Sequence, residues 1–208
     1  MAFLTFEGIE GSGKSTQARR LAAELGDKAL FTVEPGATGL GWSIRGLLLE
    51  QRGQDVSPLA ELLLFFADRA QHVHEVIRPA LEAGRVVVCD RFTDSTTAYQ
   101  GYGRGLPLDL IRTLAREATG GLAPDATVLL DVPVAVGLTR ARRRGRPDRM
   151  EGEEKAFHER VAAGYRELAA QEPDRFVVVD ARGGEDEVAA AVRSALAGRG
   201  IEVLGGLR

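Results

Sequence analysis

Cysteine occurs once in 208 residues, at Cys89, so no internal disulfide can form and a reducing compartment is expected. By itself that cysteine reads as a small buried residue at a strand end rather than as a reactive thiol. No apolar run approaches the roughly 20 residues that a membrane-spanning helix needs. The opening stretch "MAFLTFEG" carries no basic segment and no cleavage site, so it does not read as a secretory leader. These absences point to the cytoplasm and to no membrane partner. Lysine stands only at Lys14, Lys28 and Lys155, so nearly all positive charge is arginine and Lys14 is conspicuous. A formal net charge of −3 argues against bulk, sequence-blind binding of nucleic acid. No internal repeat, low-complexity linker or domain boundary is visible, and the length suits one sizeable core, so residues 1–208 are read as a single domain.

What is present alternates. Short β-branched runs at 2–7, 29–33, 85–90, 126–132 and 175–181 are separated by amphipathic stretches. The latter lie at 14–25, 41–51, 58–83, 107–118, 134–144, 153–171 and 184–197. That rhythm predicts an α/β fold in three layers, a five-stranded parallel sheet flanked by helices. Pro58 suits a helix's first turn, whereas Pro79 predicts a kink or an early end in the long third helix. Several runs end in an acid or pass straight into Gly or Pro, and ligands of such sheets bind beyond the carboxyl ends of the strands.

The first strand–helix junction reads Gly8-Ile9-Glu10-Gly11-Ser12-Gly13-Lys14-Ser15, followed by Thr16. It fits Gly-x-x-x-x-Gly-Lys-Ser/Thr in the context that pattern requires, after an apolar run and before an amphipathic helix. Gly8, Gly11 and Gly13 let backbone N–H groups turn inward around phosphate oxygens, and the helix N-terminus adds a favourable dipole. Lys14 is expected to reach the β- and γ-phosphates of ATP, and the Ser15 hydroxyl to hold Mg²⁺. The loop alone does not separate kinases from other phosphate-loop enzymes. No Asn/Thr-Lys-x-Asp guanine motif is present, and the small size favours a nucleotide or metabolite kinase.

The run Val86-Val87-Val88-Cys89 ends in Asp90, followed at once by Arg91. An acid there suits a carboxylate supporting Mg²⁺ directly or through water, and Arg91 suits bidentate binding of an acceptor phosphate. Taken alone, the two residues fit equally well a helix-capping Asp and a surface Arg.

"DRFTDSTTAYQG" (90–101), with "EGIEGSGKST" (7–16), "FADRAQ" (66–71) and "PDATVLLDV" (124–132), closely resembles thymidylate kinase. The likeness extends over nearly the whole chain, through "RARRRGRPDRME" to "VVVDA" (177–181). It implies a fold of the nucleoside monophosphate kinase type and transfer of the γ-phosphoryl of MgATP to dTMP, giving dTDP. It further implies that Phe65 stacks on thymine and that Arg69 bonds a base carbonyl, although spacing alone would put Phe65 in the core. Ser95 and Thr96 would serve the base edge, and Tyr99 would pack beneath the sugar where a 2′-hydroxyl would clash. Arg45 and Arg91 match arginines that grip the acceptor phosphate, with Glu34 and Pro35 in the loop lining that site. This loop departs from the bacterial pattern Arg-Glu-Pro-Gly-Gly-Thr, since Val33 and Ala37 replace an arginine and a glycine. The likeness also implies a homodimer packed through helices, including residues 59–67.

Phosphoryl transfer needs positive charge around the equatorial oxygens and exclusion of water. Some members of that family carry an arginine inside the phosphate loop, at the position held here by Gly11. Others supply it from a mobile lid, which "RARRRGRPDR" (140–149) resembles, within a lid segment of about 140–152. Arg144 is the expected transition-state arginine and Arg140 lies nearer the ATP base, while Asp148 and Arg149 hold the lid's structure. Read without the resemblance, six arginines in ten residues also fit a solvated helix face or a nucleic-acid patch. Glu10 would accept a hydrogen bond from the acceptor's 3′-hydroxyl and touch an Mg²⁺-bound water, as a positioning residue. A kinase for UMP/CMP or AMP is the nearest rival, and a nucleic-acid-stimulated ATPase a more distant one. His72, His74 and His158 fit no metal pattern and read as surface or packing residues.

Overall fold

The computed structural model describes residues 2–50, 56–143 and 148–201. Five parallel strands run in the order β2-β3-β1-β4-β5: β1 Phe3–Glu7, β2 Ala29–Val33, β3 Val86–Asp90, β4 Ala126–Asp131 and β5 Phe176–Asp180. The five predicted runs are these strands, each trimmed by a residue or less at either end. β1 is central, buried along its whole length, and in register with both neighbours, Phe6 facing Asp90 on one side and Val128 on the other. Strands covered on both faces read as unbroken apolar runs rather than alternating ones, which is why they were easy to find.

The helices are α1 Lys14–Leu25, α2 Gly39–Leu49, α3 Pro58–His72, α4 Arg78–Glu82, α5 Thr93–Thr96, α6 Leu108–Thr119, α7 Val134–Arg142, α8 Lys155–Gln171 and α9 Glu185–Ala197. Pro58 opens α3 with Ser57 as its cap, the hydroxyl accepting from Ala60 N at 3.3 Å. The predicted 58–83 helix is interrupted ahead of Pro79, with α3 ending at His72. There the chain widens to a π-helical turn over Val73–Ile77 and resumes as α4. A wider turn relieves the clash of a proline ring with the preceding carbonyls, so helical backbone resumes at Arg78. A second π-helical segment, Thr97–Gly103, continues α5.

Apolar side chains fill both faces of the sheet. On one, Leu4, Phe6, Val128 and Leu130 pack with Phe157, Val161 and Val192. On the other, Phe3, Val87 and Cys89 meet Val73, Ile77 and Phe92. Cys89 is fully buried, its thiol 3.0 Å from the Arg91 carbonyl oxygen, and burial pushes that thiol well above its usual range. Each fully buried Leu, Val or Phe contributes about 1.5–3 kcal/mol.

α5 is set on the sheet by two acids. The Glu7 carboxylate, at the end of β1, accepts from Phe92 N (2.7 Å) and Ser95 N (3.3 Å), capping a helix distant in sequence. It also accepts from the Ser95 hydroxyl (2.5 Å) and the Tyr165 hydroxyl of α8 (2.9 Å). Asp94, on the same short helix, takes a bidentate pair from Arg175 at 2.7 and 2.9 Å. Arg91, just before α5, adopts a left-handed backbone (φ 73°), a strain of order 1 kcal/mol that these anchors must hold in place.

Burial, and then the charge of Asp94, push Glu7 up from 4.5 to about 7, against the pull of Ser95, Arg91 and the Phe92 N–H. Between those values the folded protein keeps a proton that the unfolded chain has lost, so rising pH there costs stability. Glu7→Gln keeps acceptor and donor positions and removes the titration. Relative to the parent chain, the variant should gain about 2 kcal/mol between roughly pH 5 and pH 7.5, measured by urea unfolding at both values.

Candidate active site

A cleft opens at the carboxyl ends of β1, β2 and β3. Its floor is the loop between β1 and α1, where Gly13 (φ 94°) stands as the left-handed cap of α1. Gly11 (φ 67°) lies so close to α7 that an added Cβ would meet the Gly137 carbonyl oxygen at 2.0 Å. A side chain at position 11 is therefore excluded by packing, as well as strained in the backbone. Lys14 and Ser15 line the cleft, with the ammonium resting on the Ile9 carbonyl oxygen at 3.1 Å. Burial, and then the charge of Arg91, lower Lys14 to about 8, with Asp90, Glu10 and Glu7 pulling the other way. An anion in the loop would remove that conflict. Gly8, Ile9, Gly11, Ser12, Gly13 and Thr16 build the loop without lining the cleft.

Asp90 ends β3 beside this floor. It is nearly fully buried, and its Oδ1 has no hydrogen-bond partner among the described residues, as is true of the Ser12 hydroxyl. An orphaned carboxylate oxygen in the cleft that Ser15 also lines is part of a hard, oxygen-only donor set. It fits Mg²⁺, which keeps most of its ligands as water and phosphate oxygens. Among the described residues no group of three or more His, Cys, Asp or Glu could hold a metal by protein ligands alone.

Opposite the floor lies a wall of arginines and acids. Arg91 Nη2 reaches Glu10 Oε1 at 3.3 Å and the Tyr99 hydroxyl at 3.3 Å, while Nη1 reaches the Ser95 hydroxyl at 3.1 Å. Its guanidinium sits over the Tyr99 ring, 5.0 Å from the centroid. Burial keeps the Tyr99 phenol well above its ordinary range, so it remains protonated and donates a hydrogen bond to Glu10 Oε1 at 2.5 Å. Burial alone would raise Glu10. The His158 ring, Arg91 and Lys14 outweigh it and hold the carboxyl at about 2, ionised throughout the neutral range.

The second wall is the loop after β2. A cis peptide joins Glu34 to Pro35, and Arg45 donates to the Pro35 carbonyl at 2.8 Å. The Glu34 carboxylate is gripped by Arg69 Nε at 2.8 Å and His72 Nδ1 at 2.8 Å, and His72 Nε2 meets the Thr32 hydroxyl at 2.6 Å. Arg69 further donates to the Thr96 hydroxyl and the Phe92 carbonyl, both at 2.9 Å, which leaves one of its five N–H groups uncommitted among the described residues. Where the sequence has Val33 in place of an arginine, the loop is secured by Asp68, whose Oδ1 accepts from Gly36 N at 3.0 Å. Burial, then the charge of Glu34, raise Asp68 to about 6.

Glu10, Glu34, Pro35, Arg45, Phe65, Arg69, Arg91, Ser95, Thr96 and Tyr99 all line this one cleft, with Lys14, Ser15 and Asp90. Phe65 is half-buried and faces it, so it is not a core residue. Arg140 lies apart, donating to the carbonyls of Ala181 and Arg182 at 2.8 Å each. Arg144 lies outside the described residues. Asp148 Oδ1 accepts from Met150 N and Glu151 N, and Arg149 bonds the Leu48 carbonyl and the buried Glu61, which Gln100 and Arg104 also meet.

Sequence reasoning assigned no role to Glu7, Glu61, Gln100, Tyr165, His72 or His158. The two histidines are fully buried against Glu34 and Glu10, whereas His74 is exposed as expected. The one available signal was spacing: His158 and Tyr165 are seven apart in a predicted helix and so share its buried face.

Comparison with known proteins places this geometry in a lineage. The family model described as Thymidylate kinase matches residues 6–192. A thymidylate kinase of Desulfovibrio desulfuricans is 52% identical, over 96% of this chain and all of its own length. One of Deinococcus radiodurans is 51% identical, over 95% and 97% of the two chains. The crystal structure of thymidylate kinase from Ehrlichia chaffeensis superposes with a TM-score of 0.77 at 36% identity, covering 94% of this chain and 98% of that one. With a matching model over most of its length and relatives above half identity across nearly all of it, the chain belongs to the thymidylate kinase family.

Proposed function

We propose that this chain phosphorylates dTMP to dTDP with the γ-phosphoryl group of ATP. The observation that carries the reading is the convergence of Lys14 and Ser15 with the acceptor-side residues on a single cleft. A donor phosphate in the glycine loop and an acceptor phosphate between Arg45 and Arg91 would then face each other. Positioning and electrostatic stabilisation are what phosphoryl transfer chiefly needs.

In this reading Phe65 stacks on the thymine and the uncommitted N–H of Arg69 meets a base carbonyl. Ser95 and Thr96 flank the base edge, Tyr99 lies under the sugar and excludes a 2′-hydroxyl, and Glu10 accepts from the 3′-hydroxyl. Glu34 and Pro35 shape the phosphate side. ATP lies along residues 8–16, with Arg140 toward its base. Ser15 and Asp90 would hold Mg²⁺, which would supply positive charge to the phosphates of ATP. Because position 11 cannot carry a side chain, the positive charge for transfer comes from the 140–152 segment acting as a lid, with Arg144 at the reacting oxygens. The whole chain works as one domain in the cytoplasm. Exposed Leu40, Trp42 and Leu47 on α2 and Leu59 and Leu63 on α3 form an apolar surface suited to a second copy of the chain.

ADP release coupled to nucleoside monophosphates should be strongest with dTMP and much weaker with UMP, dCMP or AMP. No stimulation by dTMP above background ATP hydrolysis defeats the proposal, and stimulation by nucleic acid in its place points to a different ATPase. Arg144→Ala should lower kcat by on the order of 10²-fold with the dTMP KM little changed; steady-state kinetics with varied dTMP decides. Light scattering should give about twice the chain mass of 22.3 kDa, and a monomer at micromolar concentration removes the dimer.

A further inference from the structure

His158 is a fully buried polar residue that none of the roles above employs. It projects from α8 with its ring edge-on to Phe157, centroids 5.5 Å apart, within the face that carries Phe157, Val161 and Tyr165 into the core. Its Nδ1 lies 3.2 Å from Glu10 Oε2, close enough for an ion pair though not aligned as a regular hydrogen bond. Nε2 has no partner among the described residues. A buried imidazole with neither nitrogen regularly bonded is costly, so a residue of this kind needs a reason beyond packing.

The arrangement around Glu10 supplies one. Oε1 is already taken by the Tyr99 hydroxyl at 2.5 Å and by Arg91 at 3.3 Å. Oε2 has no regular hydrogen bond, and His158 is the side chain placed beside it. A carboxylate fixed at one oxygen can still swing about that contact. A ring N–H beside the buried Oε2 limits the swing and holds the carboxylate toward the cleft that Glu10 lines. α8 thus serves two acids of the β1–loop segment with residues seven apart: Tyr165 donates to Glu7 Oε2, and His158 flanks Glu10.

We propose that His158 is a positioning residue for the acceptor: it steadies the buried Oε2 so that the Glu10 carboxylate is presented to the sugar 3′-hydroxyl in the cleft, and it thereby sets the preference for acceptors that carry one. The inference rests on the reading of Glu10 given above. It requires the proton on Nδ1, since a carboxylate offers only acceptors.

The test compares dTMP with its 3′-deoxy analogue as acceptors for the parent chain, Glu10→Gln, His158→Phe and His158→Asn. Phe fills the ring's volume without a donor, whereas the Asn amide sits where Nδ1 sits. The ratio of kcat/KM values for the two acceptors is read within each protein, so a partly inactive preparation does not alter it. Should His158→Phe not fold, His158→Ala carries the same comparison. The expected result is a roughly tenfold fall in the preference for dTMP in His158→Phe, the size of one hydrogen bond to a charged group. The loss should appear in the dTMP KM, leave the ATP KM unchanged, and be largely restored in His158→Asn. An unchanged ratio in His158→Phe, or an Asn variant no better than Phe, overturns the inference while Glu10→Gln still shows the loss. If Glu10→Gln keeps the parent ratio, the placement of Glu10 fails, and the role of His158 with it.

Discussion

Four carboxylates, those of Glu7, Glu10, Glu34 and Glu61, have been taken almost wholly out of water, and each depends on donors brought to it from elsewhere in the fold. Each lies on a different element: the end of β1, the phosphate loop, the end of β2 and α3. The donors that answer them come from other elements again. Arg91 and Tyr99 reach Glu10, Arg69 and His72 reach Glu34, Arg104 and Arg149 reach Glu61, and Ser95 with Tyr165 reaches Glu7. Removing any one acid would strand guanidinium or hydroxyl groups in the interior, so the positions of the site's cations follow from where the acids are buried. The cleft is in this sense pre-organised before any substrate enters, which is the condition for electrostatic catalysis without reorganisation.

The same constraint separates the two jobs of arginine in the wall. Arg69 spends most of its N–H groups on protein acceptors and has little left over, which suits reading a single carbonyl. Arg91 is tied more loosely, by contacts of 3.1–3.5 Å, and so can exchange protein partners for phosphate oxygens. Glu10, held strongly acidic, is the charge that keeps Arg91 in place in the empty cleft.

How much of this could be read from the chain divides along sequence distance. The strands and the glycine loop are local statements: an apolar run, a turn that needs positive φ, an amphipathic helix. They came through nearly residue for residue, and α1 begins and ends where it was predicted. Of the residues lining the cleft, Lys14, Ser15, Asp90 and Arg91 came from local motifs, whereas Glu34, Arg45, Phe65, Arg69, Ser95, Thr96 and Tyr99 came from the family resemblance; Phe65 by spacing alone would have gone to the core. The partners of the buried acids were not legible, since Tyr165 and Glu7 stand 158 positions apart and nothing in either segment names the other. The π-helical turns were missed for another reason. A 3.6-residue period tested over a window absorbs one wide turn without showing it, so Pro79 signalled a break where the helix had already made room.

Cys89 lies between Val88 and Asp90 on β3, which pairs with both β1 and β2, and its sulfur is sealed beneath the turn that carries Arg91. With burial first, and then Glu34 and Asp90, keeping the thiol protonated, it is inert while the sheet is closed. No other sulfhydryl exists in the chain to compete with it. Alkylation of this single atom therefore records the rate at which the centre of the sheet opens, giving the molecule an internal clock for unfolding that needs no added label site.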